Sequence, residues 1–143
     1  APHPDGVGAI KAMQLALKEA GANTEDIDYL NPHATSTPMG DLVELNGIHT
    51  LFKGSKNLDI SATKSMTGHL LGAAGAAEAI LSVKAIENGI IPPTINLHKL
   101  DENIPKEVNI IFGEAKEKKI NFALSNAFGF GGHNATLVFK KFQ

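Results

Sequence analysis

The stretch Thr63-Lys64-Ser65-Met66-Thr67-Gly68-His69-Leu70-Leu71-Gly72-Ala73-Ala74-Gly75-Ala76-Ala77-Glu78-Ala79-Ile80-Leu81 decides the fold. A polar turn carrying a lysine and a histidine runs into a helix with almost no polar face: from Leu70 to Ile86 only Glu78 and Lys84 are charged. A helix apolar all round is buried on every side, in a layered core or in a membrane. Glu78 and Lys84 break the run short of the roughly 20 apolar residues that a membrane span needs, so a layered core is expected. In the first turn of that helix His69 would feel the positive end of the dipole, which favours neutral imidazole. Neutral imidazole donates a hydrogen bond at neutral pH, the state an oxyanion site uses.

Upstream, Asp5 can cap a first helix with Val7, Ile10, Met13 and Leu17 on one face and Gly21 as its stop. Thr24 to Asp26 reads as a turn, and Ile27 to Asn31 as a strand ending at Pro32-His33. The hydroxyl-rich loop Ala34-Thr35-Ser36-Thr37-Pro38 closes on an N-cap with proline in the first helical position. The helix after it turns Leu42, Leu45, Ile48, Leu51 and Phe52 toward the core and ends near Gly54. A short strand from Leu58 to Ala62 then feeds the polar turn. Helix–strand–helix–strand–helix is the rhythm of a layered α/β sheet.

Downstream, Asn88-Gly89 stops the apolar helix. Pro92 and Pro93 make Ile91 to Leu97 an extended loop, and Lys99 to Pro105 reads as surface linker. Strands are expected over Val108 to Phe112, Lys119 to Asn126 and Ala135 to Lys141. The last two are joined by the glycine-rich hairpin connection Ala127-Phe128-Gly129-Phe130-Gly131-Gly132-His133-Asn134. His33, the Lys64–His69 turn and the Phe128–His133 loop each follow a strand. Loops at strand ends on one edge of an α/β sheet are where ligands bind, so the three segments are expected to share a pocket.

Length and charge bound the remaining choices. At 143 residues, 1–143 is read as one domain. Thirteen basic against 15 acidic residues, net −2, give no electrostatic reason to expect nucleic acid or an anionic membrane. Every basic residue is a lysine, so bidentate arginine recognition is absent. There is no cysteine, which removes disulfides, thiolate zinc sites and thiol nucleophiles from this sequence. Ala1-Pro2-His3-Pro4-Asp5-Gly6 has neither the basic region nor the apolar run of a signal peptide, so a cytoplasmic protein is expected. The lack of an initiator methionine marks a processed chain or a piece of a longer one.

Two neutral imidazoles, His33 and His69, can donate to one carbonyl oxygen and stabilise the oxyanion that forms on it. They could instead bind a metal, but no third ligand stands at a recognised spacing. Lys64 could orient His69 or hold substrate, against the plainer reading of a solvated lysine. Glu78 is costly in an apolar helix unless paired, so it faces a lysine or histidine, or a cation with backbone carbonyls. Thr35 and Thr37 offer hydroxyls beside His33 for an amide-bearing arm, with helix capping expected to claim one of them. The Gly129–Gly132 loop lies between strands rather than before a helix, which excludes the dinucleotide fingerprint. Its phenylalanines suit an aromatic gate with a free backbone amide, or equally a hairpin with its rings tucked inward.

Asn31-Pro32-His33-Ala34-Thr35-Ser36-Thr37-Pro38-Met39-Gly40-Asp41, Thr63 to Gly75 as quoted, and Asn126 to Asn134 resemble, in order, the motifs of the β-ketoacyl-acyl carrier protein synthases, and most of all the type II elongation enzymes of bacterial fatty acid synthesis. The resemblance implies the C-terminal half of a duplicated thiolase-like layered αβαβα fold, a mixed sheet with a buried Ala/Gly-rich helix. It implies decarboxylation of malonyl-carrier protein and condensation of the carbanion with an acyl group held on a cysteine of the N-terminal half. His33 and His69 would stabilise the enolate, with Lys64 supporting His69. Phe130 would gate the site and lend its amide to an oxyanion hole; Phe128 would line the substrate site. Thr35 and Thr37 would bind the phosphopantetheine arm. A monovalent cation, Na+ or K+, would sit near Asn31, Glu78, Ser125 and Asn126, and no other cofactor is implied. The partners implied are acyl carrier protein and, in the complete enzyme, a second copy, with no nucleic acid and no membrane.

Pro32 stands where the family has a small residue, and His133 where threonine is common. The alternative to an enzyme portion, inactive alone, is a non-catalytic cysteine-less partner subunit of the chain-length-factor kind. Both histidines and the lysine argue against it, since a scaffold has no use for them.

Overall fold

The computed structural model describes residues 5–143; Ala1 to Pro4, which bear on the leader reading, lie outside the described residues. The elements are α1 (Val7–Ala20), β1 (Tyr29–Asn31), α2 (Pro38–Leu51), β2 (Asp59–Ile60), α3 (Lys64–Thr67), α4 (Ala74–Asn88), β3 (Ile90–Ile91), β4 (Asn109–Ile110), β5 (Lys116–Glu117), β6 (Phe122–Phe128) and β7 (Asn134–Lys140). A mixed sheet runs in the order β4-β2-β1-β6-β7. Its first four strands are parallel and β7 returns antiparallel to β6.

Side chains on β1 alternate between two cores, as a pleat requires. Leu30 packs with Met13 and Leu17 of α1, Leu45 and Ile48 of α2, Ile60 and Leu124. Tyr29 packs on the other face with Ala85 and Ile86 of α4, Ile91, Ile120 and Ala123. Helices α1 and α2 therefore cover one face and α4 the other, which is a layered α/β fold. Because β1, β2 and β6 are parallel, their C-terminal ends open on one edge. At the opposite end Asp28 accepts from the Asn121 and Phe122 amides at 2.7 and 3.0 Å, and Asp59 from Lys116 and Lys118 at 2.7 and 3.0 Å. Burial opposes charge on Asp59, but the two lysines outweigh it and hold the carboxyl below its usual range.

The periodicity reading differs from the structure at particular places. The N-cap of α1 is Gly6, at φ 63° and without a side-chain cap bond, rather than Asp5, and Val7 is 56% exposed instead of facing the core. The apolar helix starts at Ala74, not Leu70, because the chain breaks at Gly68 and again at Leu71, which takes φ 52°. Nor is it buried on all sides. Its sheet-facing positions Ala74, Glu78, Ser82, Ala85 and Ile86 are buried, while Ile80 and Val83 are 62% and 37% exposed. The proline loop begins with a short pairing of β3 with β5, and Thr94 bridges Phe112 in parallel.

Candidate functional site

His33 stands two residues past the end of β1, and its loop is fixed by a residue the sequence reading passed over. Glu44, 4% exposed on α2, accepts the His33 amide on Oε1 and the Ala34 amide on Oε2, both at 2.8 Å. Asn126 Nδ2 donates to Glu44 Oε1 at 3.2 Å, and the Thr136 hydroxyl donates to Asn126 Oδ1 at 2.8 Å. Burial pushes the Glu44 carboxyl up to about 7 against the pull of the two amides and Asn126. A signal for it did exist: Glu44 precedes Ile48 by four residues and so lies on the helix face assigned to the core. Ala34 and Ser36 sit at φ 31° and 63°, backbone values that L residues adopt only when their surroundings dictate them.

Lys64 is buried and donates to Glu78 Oε1, a close ion pair whose side chains are 4% and 2% exposed. The pairing reading of Glu78 is the one observed. Burial pushes the Glu78 carboxyl upward and Lys64 pulls against it. Lys64 is thus a fixed interior charge rather than a solvated one, and it reaches His33 through its field.

His69 lies five residues before α4, outside its first turn, so the dipole argument does not apply to it. The Leu71 amide donates to His69 Nδ1 at 3.2 Å, so a neutral His69 carries its proton on Nε2. The His33 and His69 rings meet edge to face with centroids 5.5 Å apart, and Phe128 stands 5.8 Å from His33. Burial, then the charges of Lys64 and His69, push the His33 imidazole down to about 4, so His33 is neutral at pH 7. Its Nδ1 is buried without a partner.

A cleft of about 1060 Å3 opens over this pair, lined by His33, His69, Thr35, Thr37, Phe128 and Phe130 together with the glycine loop. Lys64 and Glu78 lie outside its lining. Of the two threonines Thr37 occupies the N-cap of α2, but its hydroxyl makes no cap bond, and the two hydroxyls face each other at 3.4 Å. Phe130 sits in a turn between β6 and β7 and is 96% exposed. His133 belongs to the same loop, where its carbonyl accepts the Gly129 amide at 2.6 Å.

The residues associated with a cation are close in the sheet, Asn31 and Ser125 being register partners. Their side-chain amides are engaged elsewhere: Asn31 Nδ2 donates to the Thr63 hydroxyl at 2.8 Å, and Asn126 serves Glu44 and Thr136. Glu78 Oε2 is buried without a partner and is the one side-chain atom of the set a cation would satisfy. Among the described residues no three histidine or carboxylate groups gather as a metal site, and no helix is long and apolar enough to cross a membrane.

Comparison with known families matches residues 1–98 to the β-ketoacyl synthase C-terminal domain. The chain belongs to the β-ketoacyl synthase family. Its whole length is 49% identical to a 3-oxoacyl-[acyl-carrier-protein] synthase 2 of Staphylococcus aureus (strain COL), of which it covers 34%. A β-ketoacyl synthase crystal structure from Burkholderia phymatum STM815 superimposes with a TM-score of 0.91 at 36% identity, over 98% of this chain and 34% of that one. A type II PKS acyl-carrier protein in complex with its ketosynthase bound to the hexaketide gives a TM-score of 0.92 at 30% identity, over 99% and 34%. The chain thus spans about a third of the relatives it matches, and the layered fold is that of solved ketosynthases.

Proposed function

We propose that this β-ketoacyl synthase chain supplies the decarboxylating half of a 3-oxoacyl-[acyl-carrier-protein] synthase, acting in the decarboxylative Claisen condensation of fatty acid elongation. One observation carries the reading: two imidazoles from different loops, 5.5 Å apart over one cleft, one of them neutral by burial.

In the reaction, the bond between the malonyl α-carbon and its carboxylate breaks and carbon dioxide leaves. The electron pair passes onto the thioester oxygen as an enolate. His33 and His69 donate hydrogen bonds to that oxygen where its charge develops. The enolate carbon then attacks an acyl thioester, forming the new carbon–carbon bond and expelling a cysteine thiolate. With no cysteine in this sequence, the nucleophile would come from the portion of the relatives that this chain does not span. Phe130 would gate the cleft and lend its amide to the oxyanion of acyl transfer. Phe128 would wall the substrate site beside His33. Thr35 and Thr37 would hydrogen-bond the phosphopantetheine arm as it enters.

Acyl carrier protein is the proposed partner, consistent with the carrier complex of the PKS neighbour; a second copy of the whole enzyme is proposed as well. A Na+ or K+ ion would be held by Glu78 with the backbone of Asn31, Ser125 and Asn126. It would satisfy the Glu78 oxygen that Lys64 leaves unpartnered and take no part in bond making.

The test joins this chain to the portion of the Staphylococcus aureus relative that it does not cover. Release of carbon dioxide from malonyl-carrier protein and formation of a β-ketoacyl product are expected. A folded, self-acylating fusion that leaves malonyl-carrier protein intact would overturn the proposal.

A further inference from the structure

Lys64 stands on a helix of four residues, α3, which has no stability of its own. Its ammonium, at the end of a flexible four-carbon stem, is held at the tip by Glu78, and the other end of that stem is fixed only as well as the backbone beneath it. On one side the fixing is clear: Thr63 is fully buried and bonded to Asn31, the end of β1. On the other side, four hydrogen bonds arrive from the proline loop. The Thr94 hydroxyl accepts the Ala62 amide at 3.0 Å. Ser65 Oγ donates to the Ala62 carbonyl at 2.7 Å and accepts the Ile95 amide at 3.0 Å. Asn96 Nδ2 donates to the Ser65 carbonyl at 3.2 Å, and the Ser61 hydroxyl donates to the Pro92 carbonyl.

The proline loop is itself anchored to the sheet edge. The Thr94 amide donates to the Ile111 carbonyl at 2.8 Å, and the Thr94 carbonyl accepts the Gly113 amide at 3.3 Å. Asn96 holds φ 59°, a left-handed conformation that asparagine tolerates better than most residues. That conformation is what returns its side chain to Ser65. Prolines 92 and 93 have no amide to leave unsatisfied, and they stiffen the loop that carries these groups.

We infer that Ser65, Thr94 and Asn96 form a brace that positions Lys64 for the decarboxylation proposed above. They are positioning residues: none lines the cleft. The brace rests on that functional reading only for its consequence in catalysis, since its grip on Lys64 is a property of the fold.

Two measurements separate the two levels. The first is competitive acetylation of lysines in the protein itself, read by mass spectrometry, with Lys84 (side chain 64% exposed) as internal reference. Thr94→Val removes a hydroxyl at nearly constant shape, and Asn96→Gly keeps the left-handed backbone while deleting the amide. Each should raise Lys64 labelling by about tenfold relative to Lys84, the opening that loss of one ordinary hydrogen bond permits. Unchanged Lys64 labelling in both variants would overturn the inference, as would an equal rise at every lysine.

The second measurement is steady-state decarboxylation by the fused enzyme described above. Both variants should lower kcat by about tenfold with KM unchanged, and Thr94→Ser should restore it, because the lost interaction acts on the transition state and not on binding. Wild-type kcat in both variants would refute the positioning role. A wild-type fusion without decarboxylation, accompanied by the labelling change, would sink the functional reading and leave the grip on Lys64 supported.

Discussion

Glu44 of α2 accepts the backbone amides of His33 and Ala34, one on each carboxylate oxygen, at 2.8 Å. A helix residue thereby sets the path of a loop eleven residues before it and aims the histidine that follows β1. Removing the carboxylate strands two amides in the wall of the cleft, where water can relieve them only in part. Glu44→Ala should therefore cost about 2–4 kcal/mol, at roughly 1–3 for each unsatisfied donor with some relief by water. Glu44→Gln keeps one acceptor oxygen and should cost about half as much. Urea unfolding of the two variants measures both, and equal stability of Glu44→Ala and the native chain would show that the loop holds its shape without the carboxylate.

The same pair gives the fold a two-sided response to pH. Glu44 has its folded pKa raised to about 7 from an ordinary 4.5. Its neutral form is favoured by folding, so its contribution is full below 4.5 and is lost as pH rises through 7. His33 has its folded pKa lowered to about 4 from 6.5. Its contribution is full above 6.5 and is lost as pH falls through 4. Between about pH 4.5 and 6.5 the two slopes oppose each other and stability should be flat. In Glu44→Gln only the histidine remains of the two, and stability should fall steadily from pH 6.5 to 4. A profile parallel to that of the native chain would show that Glu44 does not titrate in this window.

How much of this was legible in the sequence depended on whether the determinant was local. Alternating helices and strands, the proline opening α2 and the glycine loop between β6 and β7 follow from spacing and turn chemistry, and they brought His33, His69 and Phe128 to one sheet edge. The start of α4 is not legible in the apolar pattern because the chain turns at Gly68 and again at Leu71, which takes φ 52°. The apolar character of Ile80 and Val83 was read as burial, but no described residue of this chain covers that side of α4. Glu44 escapes the pattern for another reason: a glutamate in the middle of a surface helix is ordinarily solvated. Only the distant amides of His33 and Ala34 give it a reason to be inside.

His69 offers a prediction about chemistry rather than stability. Its Nδ1 is occupied by the Leu71 amide, leaving Nε2–H to donate. In the fused enzyme His69→Ala should abolish malonyl decarboxylation by about 10²–10³-fold, the typical effect of losing one oxyanion donor. Self-acylation should stay measurable, since it needs neither the enolate nor its stabilisation. Being exposed, His69 should contribute little to folding, and the melting temperature of the variant should match the native value. Unimpaired decarboxylation in a folded His69→Ala enzyme would remove His69 from the site.

The Lys64–Glu78 pair tests whether the interior charge is there for stability or for function. Both side chains are almost fully buried, so each ion loses its hydration and is compensated chiefly by the other. Lys64→Met leaves the Glu78 carboxyl without its cation, and Glu78→Gln leaves the ammonium facing a neutral amide. Either should destabilise the fold by about 3–5 kcal/mol, the usual effect of breaking a buried pair from one side. Lys64→Met/Glu78→Leu removes both charges at similar volume and should return stability to within about 1 kcal/mol of the native chain, because well-packed apolar replacements of buried pairs are often neutral. The double variant should nevertheless raise the His33 pKa, since the Lys64 charge is one of the causes that lower it. A double-mutant cycle by urea unfolding, with NMR titration of the His33 ring, reads both quantities. A double variant as unstable as either single one would mean that the pair holds α3 against α4 in a way apolar packing cannot replace. An unmoved His33 titration would cut the electrostatic link from Lys64 to the cleft.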